Sequence, residues 1–126
     1  MMIFRCLVLL VACLACLCAG AFAGEADVVE VVVAANDRGG DNFTVTVAHG
    51  DTGWDHYADR WEILDGDGNI LGTRTLYHPH VNEQPFTRSL SGIAIPDRVR
   101  VVTVRAHDRV HGYGGKIVSV DLTGNR

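Results

Sequence analysis

Polar and apolar residues alternate with period two through most of the chain beyond residue 26, and no stretch sustains a helical period. Phe43, Val45 and Val47 alternate with Thr44 and Thr46. Trp61 and Ile63 alternate with Arg60 and Glu62. Val102, Val104 and Ala106 alternate with Thr103 and Arg105, and Val118, Val120 and Leu122 with Ser119 and Asp121. Val29, Val31 and Val33 fall on one side of an earlier run, with Glu30 opposite. The runs are rich in β-branched residues, which suit half-buried strands. Turn residues separate them: Gly39-Gly40 within Asn36–Asp41, Asp65-Gly66-Asp67-Gly68-Asn69, Pro96-Asp97, and Gly112-Tyr113-Gly114-Gly115. The pattern predicts seven strands over 27–35, 42–48, 58–64, 69–76, 86–91, 98–106 and 116–122.

Seven short strands in about 100 residues indicate an all-β, antiparallel sandwich of immunoglobulin or fibronectin-III type, with Trp61 as its buried aromatic. The stretch from Leu90-Ser91-Gly92-Ile93 to Val104-Arg105-Ala106 resembles the E–F corner of fibronectin-III domains, without the corner tyrosine.

The first 23 residues break this pattern. Arg5 gives a positive start, Cys6 to Cys18 is an apolar run, and Ala21-Phe22-Ala23 has the form of a cleavage site before Gly24. The run is shorter than the roughly 20 apolar residues a membrane span needs. A cleaved signal peptide over 1–23 and a single domain over 24–126 are therefore expected, with no span in the mature chain. Leu10-Val11-Ala12-Cys13 also has the form of a lipoprotein signal, so anchoring at Cys13 is the alternative.

Processing changes the composition that matters. Of 126 residues, 103 remain, and loss of Arg5 leaves ten basic against fifteen acidic groups, a net −5. All four Cys and both Met go with the leader. This excludes disulfides, cysteine nucleophiles, zinc-thiolate and iron–sulfur sites, and a thioether copper site from the mature domain. The acidic balance, with Lys116 as the one lysine, excludes a nucleic-acid partner. A secreted domain without structural Cys fits the bacterial periplasm or medium. The three mature serines, Ser89, Ser91 and Ser119, lie in no nucleophile-elbow context. Asp65–Asn69 echoes part of a calcium loop but lacks its distal Glu, and reads as a hairpin.

Histidine placement is the informative feature. In seven successive antiparallel strands, the second, fourth and sixth loops share one end of the sandwich. Those loops, about 49–57, 76–84 and 107–114, contain all six histidines: His49, His56, His78, His80, His107 and His111. Imidazole is the commonest protein ligand for Zn, Cu(II), Ni and Fe(II). His78-Pro79-His80 puts two rings on one side of an extended, proline-stiffened segment. The expected metal ligands are His56, His78, His80 and His111, then His49 and His107. Asp108 and Glu83 serve as oxygen ligands or as acceptors that orient a ring. The parity of His49 continues that of Val45 and Val47, so it also reads as a histidine at the edge of the core.

The segment His49-Gly50-Asp51-Thr52-Gly53-Trp54-Asp55-His56-Tyr57, followed by Trp61-Glu62-Ile63, resembles the iron domain of desulfoferrodoxin and superoxide reductase. That family has an immunoglobulin-like sandwich and a Cys-x-x-His-Gly element near its end, where this chain has Asp108-Arg109-Val110-His111-Gly112. The resemblance implies metal ligation by His49, His56 and His111. Asp108 at the thiolate position, a His49–His56 spacing one residue longer and the absence of the family's early histidine put superoxide chemistry in doubt even if a metal stays. The run Tyr77–Phe86 resembles small exported bacterial immunoglobulin-like proteins.

The expected function is thus an exported sandwich that binds a transition metal, Zn or Cu(II) ahead of Fe(II), through its histidine-rich loops. Two alternatives stay open. One is a module that binds another exported protein or a glycan, using Trp54, Tyr57, Tyr77 and Tyr113. The other is a non-haem metal redox enzyme related to superoxide reductase.

Overall fold

A computed structural model describes residues 24–124. The expected signal peptide, with Cys13 and Ala21–Ala23, lies outside the described residues. Seven strands run in chain order: β1 Asp27–Ala35, β2 Asp41–Ala48, β3 Ala58–Leu64, β4 Ile70–Thr75, β5 Phe86–Ile93, β6 Val101–Asp108 and β7 Val118–Asp121. They form a three-stranded sheet, β1-β2-β5, and a four-stranded sheet, β4-β3-β6-β7, with every paired neighbour antiparallel. The expected seven-stranded immunoglobulin-like sandwich is what forms. No helix among the described residues is long and apolar enough to cross a membrane.

The alternation read from the sequence fills the space between the sheets. Phe43, Val45 and Val47 from β2, Trp61 and Ile63 from β3, Phe86 from β5 and Val102 and Val104 from β6 are all buried. The intervening β2 residues point outward, where Thr44 and Thr46 pair with the hydroxyls of Ser89 and Thr87 at 3.0 and 2.8 Å. Asp65 closes the β3–β4 hairpin by accepting from the backbone N–H groups of Asp67 and Asn69 and from the Asn69 amide. Its carboxylate is consumed by the turn, in keeping with the hairpin reading.

Several strand ends shift by one to three residues, and two departures from expectation bear on side-chain placement. The sixth strand starts at Val101 and reaches Asp108, where 98–106 was expected. A turn closed by Val99 N–H on the Pro96 carbonyl (2.9 Å) occupies the early positions. At the other end Asp108 pairs with Ala58 of β3. His107 and Asp108 therefore belong to a strand and not to a loop. The second departure is a bulge. Val28 pairs with Val47 and Glu30 with Thr46, so Val29 is an extra residue on β1. A single inserted residue reverses the parity on one side of it. Val28, Val31 and Val33 thus face the core, while Val29 is 49% exposed.

The bulge makes a direct prediction. Val28→Thr buries a hydroxyl without a partner and lowers unfolding free energy by about 1–3 kcal/mol. Val29→Thr changes it by less than about 0.5 kcal/mol. Urea unfolding of the two variants separates them.

Candidate metal centre

The β2–β3, β4–β5 and β6–β7 connections lie at one pole of the sandwich because successive strands reverse direction. His49 leaves β2 with the inward parity of Phe43, Val45 and Val47, and Asp108 ends β6 with that of Val102, Val104 and Ala106. The two therefore approach each other from opposite sheets, at the rim of the core. His49 is 6% exposed and Asp108 is fully buried.

Asp51 fixes the first ring. One carboxylate oxygen accepts the His49 Nδ1 hydrogen bond and the Ala58 N–H at 3.0 Å. The other accepts the His80 N–H at 2.7 Å. With Nδ1 held, His49 Nε2 faces the Gly24 carbonyl at 3.0 Å and Asp108 Oδ2 at 3.5 Å. His56 follows a tight turn in which its N–H bonds the Gly53 carbonyl at 3.2 Å and its carbonyl accepts from Thr52 N–H at 3.0 Å. Its Nε2 comes to 3.4 Å from Asp108 Oδ1.

Asp108 is held by its own loop. Its Oδ1 accepts from Val110 N–H (2.7 Å) and His111 N–H (2.6 Å). Its backbone N–H and carbonyl both bond Gly112. Gly112 has φ +71°, the left-handed conformation that lets the loop return to Asp108. His111 Nδ1 lies 3.3 Å from Asp108 Oδ2.

Two polar atoms at this point are buried and lack a hydrogen-bond partner: His56 Nε2 and Asp108 Oδ2. Such atoms are uncommon in native interiors and call for a reason. His49, His56 and Asp108 each offer one donor atom within 4.8 Å of the others. Donors bound to one ion at about 2 Å lie roughly 3–4 Å apart. His49 Nε2 is 3.5 Å from Asp108 Oδ2 and His56 Nε2 is 3.4 Å from Asp108 Oδ1, so small side-chain movements bring the three groups onto a shared cation. Two imidazoles and a carboxylate are a donor set for Zn, Cu(II) or Fe(II).

Electrostatics agree with this arrangement in the metal-free state. Burial opposes charge on His49, but the Asp51 hydrogen bond and charge, the Asp108 charge and the Gly24 carbonyl outweigh it and raise its pKa above 6.5. Burial likewise opposes ionisation of Asp51. The His49 hydrogen bond, the N–H groups of His80 and Ala58 and the His49 charge prevail and lower its pKa below 3.8. For Asp108, burial is outweighed by the His111 and Val110 N–H groups and by the His49 and His111 charges, and its pKa also falls below 3.8.

The other expected ligands lie elsewhere. His107 precedes Asp108 on β6 and so faces outward, where its Nδ1 bonds Asp59 at 2.6 Å and its ring packs on Tyr113. His80 is buried and stacked on Phe86, with ring centroids 4.1 Å apart. Its Nδ1 is 3.9 Å from Asp51 Oδ2, and neither ring nitrogen has a hydrogen-bond partner. Burial, with the charges of Arg88 and His78, lowers its pKa and favours the neutral ring. His78 is exposed, 4.6 Å from His80 between ring centroids, so the two rings of the H-x-H pair do sit side by side. Glu83 is half-exposed and pairs with Arg88 at 2.8 Å. Asp51, which organises the pole, was not among the expected ligands, although its spacing two residues after His49 keeps it on the same face.

No protein-family model matches the chain, and no solved structure matches it. A protein of Halomicrobium mukohataei described as "Putative lipoprotein" is 43% identical over 97 residues, which is 77% of this chain and 47% of that protein. The chain thus spans about half the length of that relative.

The pole predicts a two-sided pH profile for the domain held metal-free by chelator. The lowered carboxylates stabilise the fold above pH 3.8, and that contribution is lost as pH falls through their folded values. The raised His49 pKa stabilises the fold below pH 6.5, and that contribution is lost as pH rises through the folded value. Asp51→Asn leaves the His49 charge without its partner. It lowers stability near pH 6 by about 3 kcal/mol and flattens both limbs. Urea unfolding across pH 3 to 9 reads both effects.

Proposed function

We propose that this protein is exported and binds one transition-metal ion through His49 Nε2, His56 Nε2 and Asp108, with His111 as the fourth donor. The observation that carries the reading is the pair of buried, unpartnered atoms, His56 Nε2 and Asp108 Oδ2, facing the same small space as His49. A cation satisfies both at once, and the two lone pairs on adjacent side chains otherwise lose their hydration without return.

The resemblance to the superoxide reductase iron domain supports the same positions. Its implied ligands His49, His56 and His111 all neighbour Asp108, which stands where that family has its thiolate. Two imidazoles and a carboxylate accept Zn, Cu(II) or Fe(II), and the general affinity order of divalent metals ranks Zn and Cu(II) above Fe(II). Loss of the thiolate removes the group that tunes iron for superoxide reduction and favours metal holding or transfer. Export is supported by the form of residues 1–23 and by the lipoprotein description of the Halomicrobium relative. A surface for a second protein or a glycan remains the second reading, favoured by Trp54 and Tyr77, which are 61% and 76% exposed at the same pole.

The test is elemental analysis of the tag-free domain, then melting after addition of Zn, Cu(II) or Fe(II). A metal at about 100 times its dissociation constant adds about 2.7 kcal/mol of stability. For a domain of this size that raises Tm by about ten degrees or more. His56→Ala and Asp108→Ala abolish the shift. Less than about 0.1 metal per chain with no melting shift for any of the three ions refutes the reading, since mass action leaves a tight ligand no way to bind unseen.

A further inference from the structure

We propose that the amino terminus of the processed chain is itself a further ligand of this centre, so that full affinity appears only after cleavage between Ala23 and Gly24. The inference rests on the metal reading above and adds a nitrogen donor to it: the α-amine of Gly24.

Three observations put Gly24 beside the centre. The Gly24 carbonyl oxygen is 3.0 Å from His49 Nε2, one of the three grouped donor atoms. Within one residue the backbone N lies only about 3 Å from its own carbonyl oxygen, because three short bonds through the Cα and the carbonyl carbon link them. The nitrogen therefore lies within about 6 Å of His49 Nε2.

The segment is also clamped where it enters the pole. Val28 N–H bonds the Lys116 carbonyl at 2.8 Å, and Lys116 N–H bonds Asp27 Oδ1 at 2.7 Å. Ala26 is buried in the core. A Cβ on Gly115 would lie 1.9 Å from the Ala26 carbonyl oxygen, so the loop after His111 accepts the terminal segment only because residue 115 has no side chain. The seat for Gly24 is built from both sides.

Finally, Glu25, Asp27 and His49 line an open cleft of about 370 Å³ together with Ala48, Gly50, Gln84 and Pro85. The cleft gives solvent and ions a route to the His49 side of the pole.

The chemistry turns on the state of that nitrogen. In a chain that continues through Ala23 it is an amide, with its lone pair delocalised into the carbonyl and no use as a ligand. Hydrolysis of the Ala23–Gly24 bond consumes one water and leaves a carboxylate on Ala23 and an amine on Gly24. An α-amine has a pKa of about 7.7–8.0, so it gives up its proton to solvent readily and binds Zn or Cu(II) as neutral nitrogen. The unprocessed precursor then holds the ion weakly inside the cell, and the exported protein holds it well.

Among the described residues every core residue lies between Ala26 and Leu122, so a chain of residues 24–126 retains that core. The test compares Zn and Cu(II) affinity, by chelator competition, for chains 24–126 and 20–126, each with and without His56→Ala. The expected result is binding at least about ten-fold tighter for 24–126, in the range that loss of a supporting group costs a metal site. Cu(II) spectra of the 24–126 chain carrying ¹⁵N at Gly24 show altered nitrogen coupling, and His56→Ala removes it. Equal affinity with no Gly24 coupling overturns the proposal, and if His56→Ala still weakens both chains the metal reading survives. No binding by either chain overturns both. Terminal sequencing of the exported protein is expected to begin at Gly24, and a start at Cys13 overturns the proposal independently.

Discussion

The pole depends on one buried carboxylate. Asp51 accepts from the His49 ring, the Ala58 N–H and the His80 N–H, and so ties the exit of β2, the entry of β3 and the β4–β5 segment to a single point. Removing an ionised carboxylate from water costs several kcal/mol, which is tolerable here because three donors surround it. The same bond to Nδ1 sets the direction of the His49 ring and presents Nε2 to the centre, the usual role of an acceptor behind a metal-binding imidazole. Asp108 divides its labour in a similar way. One oxygen closes the loop through Val110 and His111, and the other is left for the centre.

The location of the centre follows from the pleat. β2 and β6 lie in different sheets, and each carries its core residues at every second position. One further step along that alternation, beyond Val47 and beyond Ala106, places an imidazole and a carboxylate across the gap between layers about 10 Å apart. The cluster is the last layer of the core, with charge in place of hydrocarbon. Electrostatic forces are strong in such a setting, and an unpaired group there is correspondingly costly. That is why the unpartnered atoms at His56 and Asp108 weigh more than exposed histidines would.

Much of this was legible in the sequence because period-two alternation determines both the sheets and the end at which each loop emerges. Trp61 at the centre of the core and the gathering of histidine loops at one pole both follow from it. Parity also marked His49 as facing inward, and the same argument applied to Asp108 would have placed it on β6 had the strand been carried past residue 106. His107 and Asp108 are neighbours in sequence, yet one bonds Asp59 on the outer face and the other is buried. Treating both as loop residues hid that difference. His78 and His80 form a conspicuous pattern, but no carboxylate joins them in a three-donor group among the described residues. What the sequence could not carry is the role of Asp51, which depends on a backbone N–H 29 positions away, and the bulge at Val29, which no composition signal marks.

The remaining donor differs from the other three in a way that bears on what the centre does. His111 sits between two clamps. Asp108 and Gly112 close the loop on the inside. On the outer face the Tyr113 hydroxyl donates to Glu62 at 2.6 Å and accepts from Arg60 at 2.9 Å, while Arg105 lies 3.8 Å over its ring. Glu62 is buried beneath these groups. Burial opposes its charge, but bonds from Tyr113, Arg60 and Arg105 hold its pKa low, so the clamp is ionised across the neutral range. The His111 backbone is thus fixed while its side chain is 36% exposed, in contrast to the buried His49 and Asp108. A structural metal site is closed on all sides by protein, whereas a site with a donor at the solvent boundary can exchange its ligand there. On the proposed reading, three inner donors with one outer donor on a firmly anchored loop leave the centre open to exchange at the His111 side as well as through the cleft beside His49, with the fold itself supported from the Asp51 side.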